Sequence, residues 1–497
     1  MPTRLISFLT PCYTTLRDRS VFMALLAVSF FLRFPFFFRD YVDRDESTFI
    51  LLGQSWANGH LPYTELWDLK PPLTFLFFKI LISIFGKSFF AIRAVGAIMI
   101  SITAFFTYKI GETVSSKKIG FWAAIACVAL QSLFGSVQGV MSEHLCMAFL
   151  MPALFLIIRY KAKYSVALAG FLMGIALMIK LNIAFVGLFI GLYLTSNFIR
   201  RKEYIKGALN AVLYGTGILL IIASTWLPYY WEGLSELWYK SIFEAALNYA
   251  GSRRDSILLQ APFFLLVTGF FYFAWKKKYL DFTEVGIQTL TVAVLSVLYS
   301  FYKGGRINSH YLIQLYPILI VPVSIFVSKV KLPLKFNYRP YLLILVLLLP
   351  VETYIEYSAI AKHKIKTGSF YNGEGFTVPE YLLKNNIPSK NILFLEYHIG
   401  YWLLNVNPPT KAATHPSNLG RDEMFSAYDN RRKNKMAELE HIMIDIRPKV
   451  VVTRLGRSIF DPKQVKMNTY IKNVLLKNYK VLDTVDLAVI HQRLSLQ

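Results

Sequence analysis

The sequence predicts an all-α polytopic membrane domain of about 11 transmembrane helices, with interfacial helices in the first outer loop. A C-terminal extracytoplasmic α/β domain follows it. Three observations carry this expectation. The 497 residues are 55% hydrophobic and only 17% charged, with a mean hydropathy of +0.43, whereas soluble chains are nearer a quarter charged. Several apolar runs approach the ~20 residues that cross a bilayer. Basic residues cluster between those runs, and composition turns mixed after Tyr357. A formal net charge of +24 on a soluble chain would point to nucleic acid. Here topology and anionic head groups account for it, and no basic-aromatic module accompanies it.

The first run, Val21 to Phe38, follows Arg17 and Arg19 but lacks a small-residue cleavage site and carries Arg33. It reads as a retained span rather than a signal peptide. Further spans are expected at 89–111, 119–136, 143–159, 164–180, 183–199, 207–227, 257–275, 281–301, 310–328 and 340–357. With the N-terminus inside, this set puts every basic cluster on the cytoplasmic side, as the positive-inside rule requires. Leu73 to Phe85 is short and interrupted by Lys79; counting it as a crossing would invert every later cluster, so it reads as a helix in the interface. Thr48 to Trp56 reads as a short surface helix, with Phe49, Leu52 and Trp56 at helical spacing.

The resulting organisation is a membrane domain over residues 1–357 and an outer domain over 358–497. In the latter, Ile392 to Leu395 and Val450 to Thr453 read as buried strands, Val465 to Lys477 as a helix and Lys480 to Arg493 as a hairpin. Cys127 and Cys146 lie in apolar runs and Cys12 near the N-terminus, a usage that implies no disulfide framework.

This topology gathers Asp43, Asp45, Glu46, Asp68, Lys70, Glu143, Lys180, Tyr249, Arg253, Arg254, Lys303, Arg306 and His310 on the outer face. Asp45-Glu46 precedes Lys70-Pro71-Pro72 by 24 residues, counted from Glu46 to Lys70, in a polar loop between apolar segments. A carboxylate there suits removal of a hydroxyl proton, and desolvation near lipid would raise its pKa. Asp45 also suits a helix N-cap, and Asp43 is an equal candidate for the base. Lys70 offers a point charge to a phosphate, or snorkels to head groups. In Lys303-Gly304-Gly305-Arg306-Ile307-Asn308-Ser309-His310-Tyr311 the glycines allow close backbone approach and Arg306 can grip a phosphate. Tyr311 also fits an interface anchor. Glu143, beside Ser142 and His144, is an ionisable residue at a span end and so a functional candidate. No HExxH spacing is present.

Two segments carry a family resemblance. Asp45-Glu46, Trp56-Ala57-Asn58-Gly59, Pro62-Tyr63 and Trp67-Asp68-Leu69-Lys70-Pro71-Pro72-Leu73 together resemble the first outer loop of the dolichyl-phosphate-mannose protein mannosyltransferase superfamily. Its bacterial branch includes the lipid A aminoarabinose transferases. The segment Gly305-Arg306, His310-Tyr311 and Pro317 resembles that branch's second hallmark. The resemblance implies a GT-C fold and an integral glycosyltransferase of the cytoplasmic (inner) membrane. Such an enzyme moves a sugar from a polyprenyl-phosphate donor to an extracytoplasmic acceptor: lipid A or lipopolysaccharide, another envelope glycan, or a protein. It assigns the base to Asp45 and a phosphate contact to Lys70 in an inverting displacement. Glu46, Asp68, Glu143, Tyr249, Arg253, Arg254, Arg306, His310 and Tyr311 complete the expected substrate-binding set. A divalent metal is the one candidate cofactor. The chain departs from the aminoarabinose transferases at Leu69, where they carry an acidic residue. A secondary transporter or lipid flippase is the alternative, but transporters keep ionisable residues near the bilayer midplane.

Overall fold

A computed structural model describes residues 13–40, 44–133, 135, 139–160, 162–252, 255–331, 339–414, 416–428 and 431–494. Its helices in chain order are α1 (Asp18–Arg33), α2 (Asp45–Ala57), α3 (Pro72–Phe85), α4 (Phe89–Val114), α5 (Lys117–Gln131), α6 (Ser142–Arg159) and α7 (Lys163–Ile179). There follow α8 (Ala184–Arg200), α9 (Tyr204–Trp231), α10 (Ser235–Tyr239), α11 (Ala245–Ser252), α12 (Ile257–Lys276), α13 (Val285–Gly304), α14 (Tyr316–Lys329), α15 (Arg339–Leu348) and α16 (Val351–Thr367). Among the described residues seven helical stretches are long and apolar enough to cross a membrane, and three shorter apolar helices accompany them. The protein is a multi-pass membrane protein. Leu258, Leu259, Leu265 and Leu266 of α12 stand largely exposed, a surface that water would penalise and hydrocarbon accepts.

Packing between spans uses small residues, because lipid offers no hydrophobic drive for helices to associate. On α7, a Cβ at Gly170 would strike the Tyr214 carbonyl of α9, and one at Gly217 would strike α7 in return. The expected span 340–357 is not continuous. It breaks at Leu349-Pro350 into α15 and α16, since proline cannot extend a helix through its own missing N–H.

The first loop also departs from expectation. α2 is not a surface helix: Glu46 through Gly53 are all buried, and the helix lies on α3. α3 opens on Pro72, whose fixed φ suits a first turn, and stops at Gly86 with φ 64°. Its Phe75 and Phe78 face the interior while Ile84 and Phe85 face out.

The C-terminal region holds α17 (Glu374–Lys384), α18 (Ile399–Leu404), α19 (Lys435–Glu440) and α20 (Val465–Asn478). Its four-stranded sheet has the order β1-β2-β4-β3, from β1 (Ile392–Phe394), β2 (Val450–Arg454), β3 (Tyr479–Val485) and β4 (Ala488–Arg493). β1 runs parallel to β2, and β4 pairs antiparallel with both β2 and β3. Both expected strands, the helix and the hairpin are present.

This region grips the first loop. Trp67 donates its backbone N–H to Lys411 at 2.7 Å and accepts from Ala413 at 3.1 Å. Arg44 pairs with Glu396 at 2.7 Å, and Asp40 accepts from Gly375 N at 2.6 Å.

Beneath α2, Glu46 is fully buried, bonded to the Arg93 guanidinium and to Val140 N at 2.7 Å. Arg93 also donates to the Phe36 carbonyl at 3.1 Å, and Arg33 donates to Gly139 at 2.5 Å. One ionic knot therefore ties α1, α2, α4 and the approach to α6. Glu46→Gln would leave Arg93 without its carboxylate in a low-dielectric site, at a cost of about 3–5 kcal/mol. Chemical unfolding in detergent should show that loss, and Glu46→Gln combined with Arg93→Met should recover a substantial part of it.

Candidate active site

α2 places the first candidate. The chain enters the helix at Asp45 itself, with Arg44 at the N-cap making no side-chain cap bond. Asp45 is therefore the first helical residue and not the cap. The Lys70 ammonium lies 3.3 Å from its carboxylate, and the two side chains are 14% and 23% exposed for Lys70 and Asp45 respectively. Both remain reachable from solvent while most of their surface is sequestered.

Lys70 reaches this point because its segment is pinned on both sides. Pro71 is extended, with ψ 158°. The Lys70 carbonyl accepts from Tyr63 Oη at 2.6 Å, and its N–H donates to Asp68 at 3.1 Å. Tyr63 holds φ 73° within this turn.

A second pair faces the first. Glu143, fully buried at the start of α6, bonds the Lys180 ammonium and accepts from Ser142 Oγ at 3.0 Å. His310 Nε2 stands 3.8 Å from the same carboxylate. Lys180 lies over the Tyr311 ring at 4.8 Å, and Tyr311 stacks on Phe301. Five separate chain segments thus meet in one cluster: α2, the segment before α3, the start of α6, the end of α7 and the turn before α14.

The electrostatics follow from this crowding. Burial works to raise the Asp45 pKa, but Lys70, His310 and Lys180 outweigh it and hold the carboxyl below its ordinary value. The sequence expectation of a raised pKa is corrected on this point: desolvation is present, and the neighbouring cation wins. Lys70 is held above its ordinary value, burial being outweighed by Asp45, Asp68 and Glu143. Burial pushes His310 below its usual value in spite of Glu143, which leaves the imidazole neutral at neutral pH.

The remaining candidates are placed as follows. Glu46 is given over to Arg93, with no exposed surface. Asp68 is 3% exposed and accepts from Thr414 Oγ1 at 2.6 Å and Asn418 Nδ2 at 3.1 Å. These two expected substrate contacts sit in the scaffold, because the Arg93 guanidinium and the C-terminal hydroxyl and amide donors saturate their carboxylates.

Arg306 lies 3.3 Å from Asp255. Gly305, at φ 74°, closes α13 as a left-handed cap, the conformation only glycine takes without strain. It terminates the helix. Lys303 is drawn over Tyr299. His144 closes the start of α6, accepting from Met141 N at 3.2 Å. Asp43, Arg253 and Arg254 lie outside the described residues. Among the described residues no three His, Cys, Asp or Glu side chains are grouped to hold a metal ion.

Sequence reasoning missed Arg93 and the C-terminal contributors. Arg421 is 8% exposed, stacks over Tyr249 at 4.8 Å and donates to Ser417 Oγ at 3.1 Å. No carboxylate among the described residues lies within ion-pair distance of it. Tyr249 in turn is near enough to Tyr311 to influence its ionisation. A buried guanidinium beside the cluster is a cation in want of an anion, and nothing local in the sequence around Arg421 advertises it.

Comparison with known proteins fits this arrangement. Residues 69–229 match the family described as dolichyl-phosphate-mannose-protein mannosyltransferase, a stretch that includes Lys70, Glu143 and Lys180. The chain is structurally similar to ArnT from Cupriavidus metallidurans bound to undecaprenyl phosphate, with a TM-score of 0.63 and 11% identity over 96% of this chain and 98% of that one. The apo state of the same protein gives a TM-score of 0.62 and 12% identity, again over 96% and 98%. No curated protein sequence matches the chain. The resemblance drawn above from two loops is thus borne out, and the chain shares the ArnT-like fold along nearly its whole length.

The Asp45–Lys70 couple makes a pH prediction. With Lys70 beside it in the free enzyme, Asp45 stays ionised through mildly acid pH, so kcat/KM should not fall off until pH drops below the ordinary carboxylate range. In Lys70→Met burial acts unopposed by the nearest cation, and the acid limb should move to higher pH. The pH profile of kcat/KM for the two proteins checks this; identical acid limbs would sever the two groups.

Proposed function

We propose that this protein is a membrane glycosyltransferase that moves a sugar from a polyprenyl-phosphate carrier to a hydroxyl on an envelope acceptor, with Asp45 as base. The observation that carries this reading is the largely sequestered but still reachable Asp45–Lys70 pair at the meeting point of five chain segments. One member can take a proton and the other can hold a phosphate, within one hydrogen-bonded contact. ArnT, which shares the fold, was captured with undecaprenyl phosphate.

In the proposed reaction the donor phosphate competes for the Lys70 ammonium. As Lys70 turns to the phosphate, Asp45 loses the cation that suppresses its basicity, and burial then favours its protonated form. Donor binding in this way arms the base. The acceptor hydroxyl gives its proton to Asp45 while its oxygen bonds to the anomeric carbon. The carbon–oxygen bond to phosphate breaks, its electron pair leaves with the polyprenyl phosphate, and configuration inverts. That leaving group is already a stable anion and needs no general acid.

Lys70, joined by Arg421 and by Arg306 once it leaves Asp255, would stabilise charge on the departing phosphate. Lys180 stays committed to Glu143, and neutral His310 can donate one hydrogen bond to substrate. No step is assigned to a metal. The site would open on the extracytoplasmic side of the inner membrane, the orientation that keeps the basic clusters in the cytoplasm.

Two measurements test the reading. Purified protein given a panel of polyprenyl-phosphate sugars should release the free lipid phosphate from at least one. Asp45→Asn should slow that release about 10²–10⁴-fold, the usual worth of a general base, while donor binding holds or tightens because Lys70 no longer has to leave a carboxylate. Release from no donor, or an unaffected Asp45→Asn, would overturn the assignment and favour a transporter.

A further inference from the structure

A second recess lies at the far end of α2. It has a volume of about 210 Å³ and is walled by α2, the turn before α4 and the segment around α18. Asp45 begins α2 and Asn58 caps its C-terminus, so 13 residues separate them. At 1.5 Å per residue the recess is roughly 20 Å from the catalytic carboxylate.

The polar groups lining it are oriented by partners that leave no choice. The Trp402 indole can only donate, and it lies 3.1 Å from Gln54 Oε1. The Gln54 amide must therefore turn its NH₂ outward, where it meets Asn58 Oδ1 at 3.0 Å. Asn58 in consequence shows its own NH₂ to the recess. The Lys87 ammonium also only donates, to Asn405 Oδ1 at 2.8 Å and to the Trp402 carbonyl at 2.7 Å. Asn405 therefore shows its NH₂ as well, and one Lys87 N–H is left over.

Lys87 has no carboxylate within ion-pair distance among the described residues. The nearby Glu65 carboxylate accepts from Ser55 Oγ at 2.5 Å and from the Asn407 amide at 2.7 Å. That leaves the Asn407 carbonyl oxygen as the recess's one side-chain amide acceptor. The carbonyls at this end of α2 are closed by the N–H groups of Asn58, Gly59 and His60. An exposed ammonium with one N–H left over and two outward-facing amide donors, beside a single side-chain amide acceptor, suit an oxyanion with a hydroxyl next to it.

We propose that this recess binds a phosphate or carboxylate group carried by a saccharide. It would act as a distal subsite for the acceptor whose hydroxyl Asp45 deprotonates. This rests on the glycosyltransferase reading for its role in turnover, while the binding itself is independent of that reading.

The test uses the full chain in lipid nanodiscs and titrates glucose 1-phosphate, glucose and inorganic phosphate by calorimetry. Lys70→Gln with Arg421→Gln removes two of the catalytic cluster's own phosphate contacts. Glucose 1-phosphate should still bind this double variant, at least tenfold more tightly than glucose or inorganic phosphate. Adding Lys87→Gln should weaken it at least tenfold. Adding instead Asn58→Asp, an exposed and isosteric change, should weaken it as much by replacing a donor with a negative acceptor.

Binding abolished by Lys70→Gln with Arg421→Gln alone would overturn the proposal. So would binding unmoved by both recess variants, or equal binding of glucose or of inorganic phosphate. Failure of the glycosyltransferase reading would appear elsewhere, as an absence of lipid-phosphate release from every donor, and would leave these binding curves intact.

Discussion

The buried pair of Glu46 and Arg93 governs the geometry of everything around it. Successive residues on a helix point about 100° apart. Once Glu46 is locked inward on Arg93 and Val140 N, the rotation of α2 is decided and Asp45 is aimed at Lys70. An ion pair in such surroundings adds little net stability, because desolvation offsets most of the attraction. Its value lies in orientation, since this rotation of α2 brings Glu46 to both Arg93 and Val140 N. The Asp-Glu dipeptide therefore divides its labour between adjacent positions, with one carboxylate for the scaffold and one for the site.

The same economy appears in the C-terminal region. Asp68 is two residues from Lys70, yet its carboxylate is held by Thr414 and Asn418 while Trp67 pairs with the backbone at Lys411 and Ala413. The loop that presents Lys70 is thus clamped from above by the α/β region and from below by α3. A rigid mounting would suit a cation that, in the reaction proposed, exchanges one anion, Asp45, for another, the donor phosphate. Movement of the ammonium alone, on its flexible stem, is enough to switch the basicity of Asp45.

Charge is handled in matched sets. Glu143 neutralises Lys180, and Asp45 neutralises Lys70, so the resting cluster carries little unpaired charge where solvation is poor. Arg421 is the exception: its guanidinium stacks over Tyr249 and donates to Ser417, and among the described residues no carboxylate pairs with it. An incoming phosphate would relieve it, which couples the C-terminal region to the occupancy of the site.

The polytopic helical class, the position of most spans and the small C-terminal sheet were legible in the chain itself, because hydropathy and short apolar runs are local properties. So were Asp45, Lys70, Glu143, His310 and Tyr311, since an ionisable group at a span end is costly wherever it occurs. Pro350 could have warned that 340–357 would not be one helix, but its apolar flanks masked it. What each carboxylate does was decided only by the folded chain. Asp45 and Glu46 are adjacent and chemically alike, and they differ only in whether Lys70 or Arg93 arrives beside them. Likewise the lowered pKa of Asp45, the diversion of Asp68 and the approach of Arg421 depend on partners 25 to several hundred positions away. Electrostatic roles in a low dielectric are set by distance in space, a quantity that order along the chain does not contain.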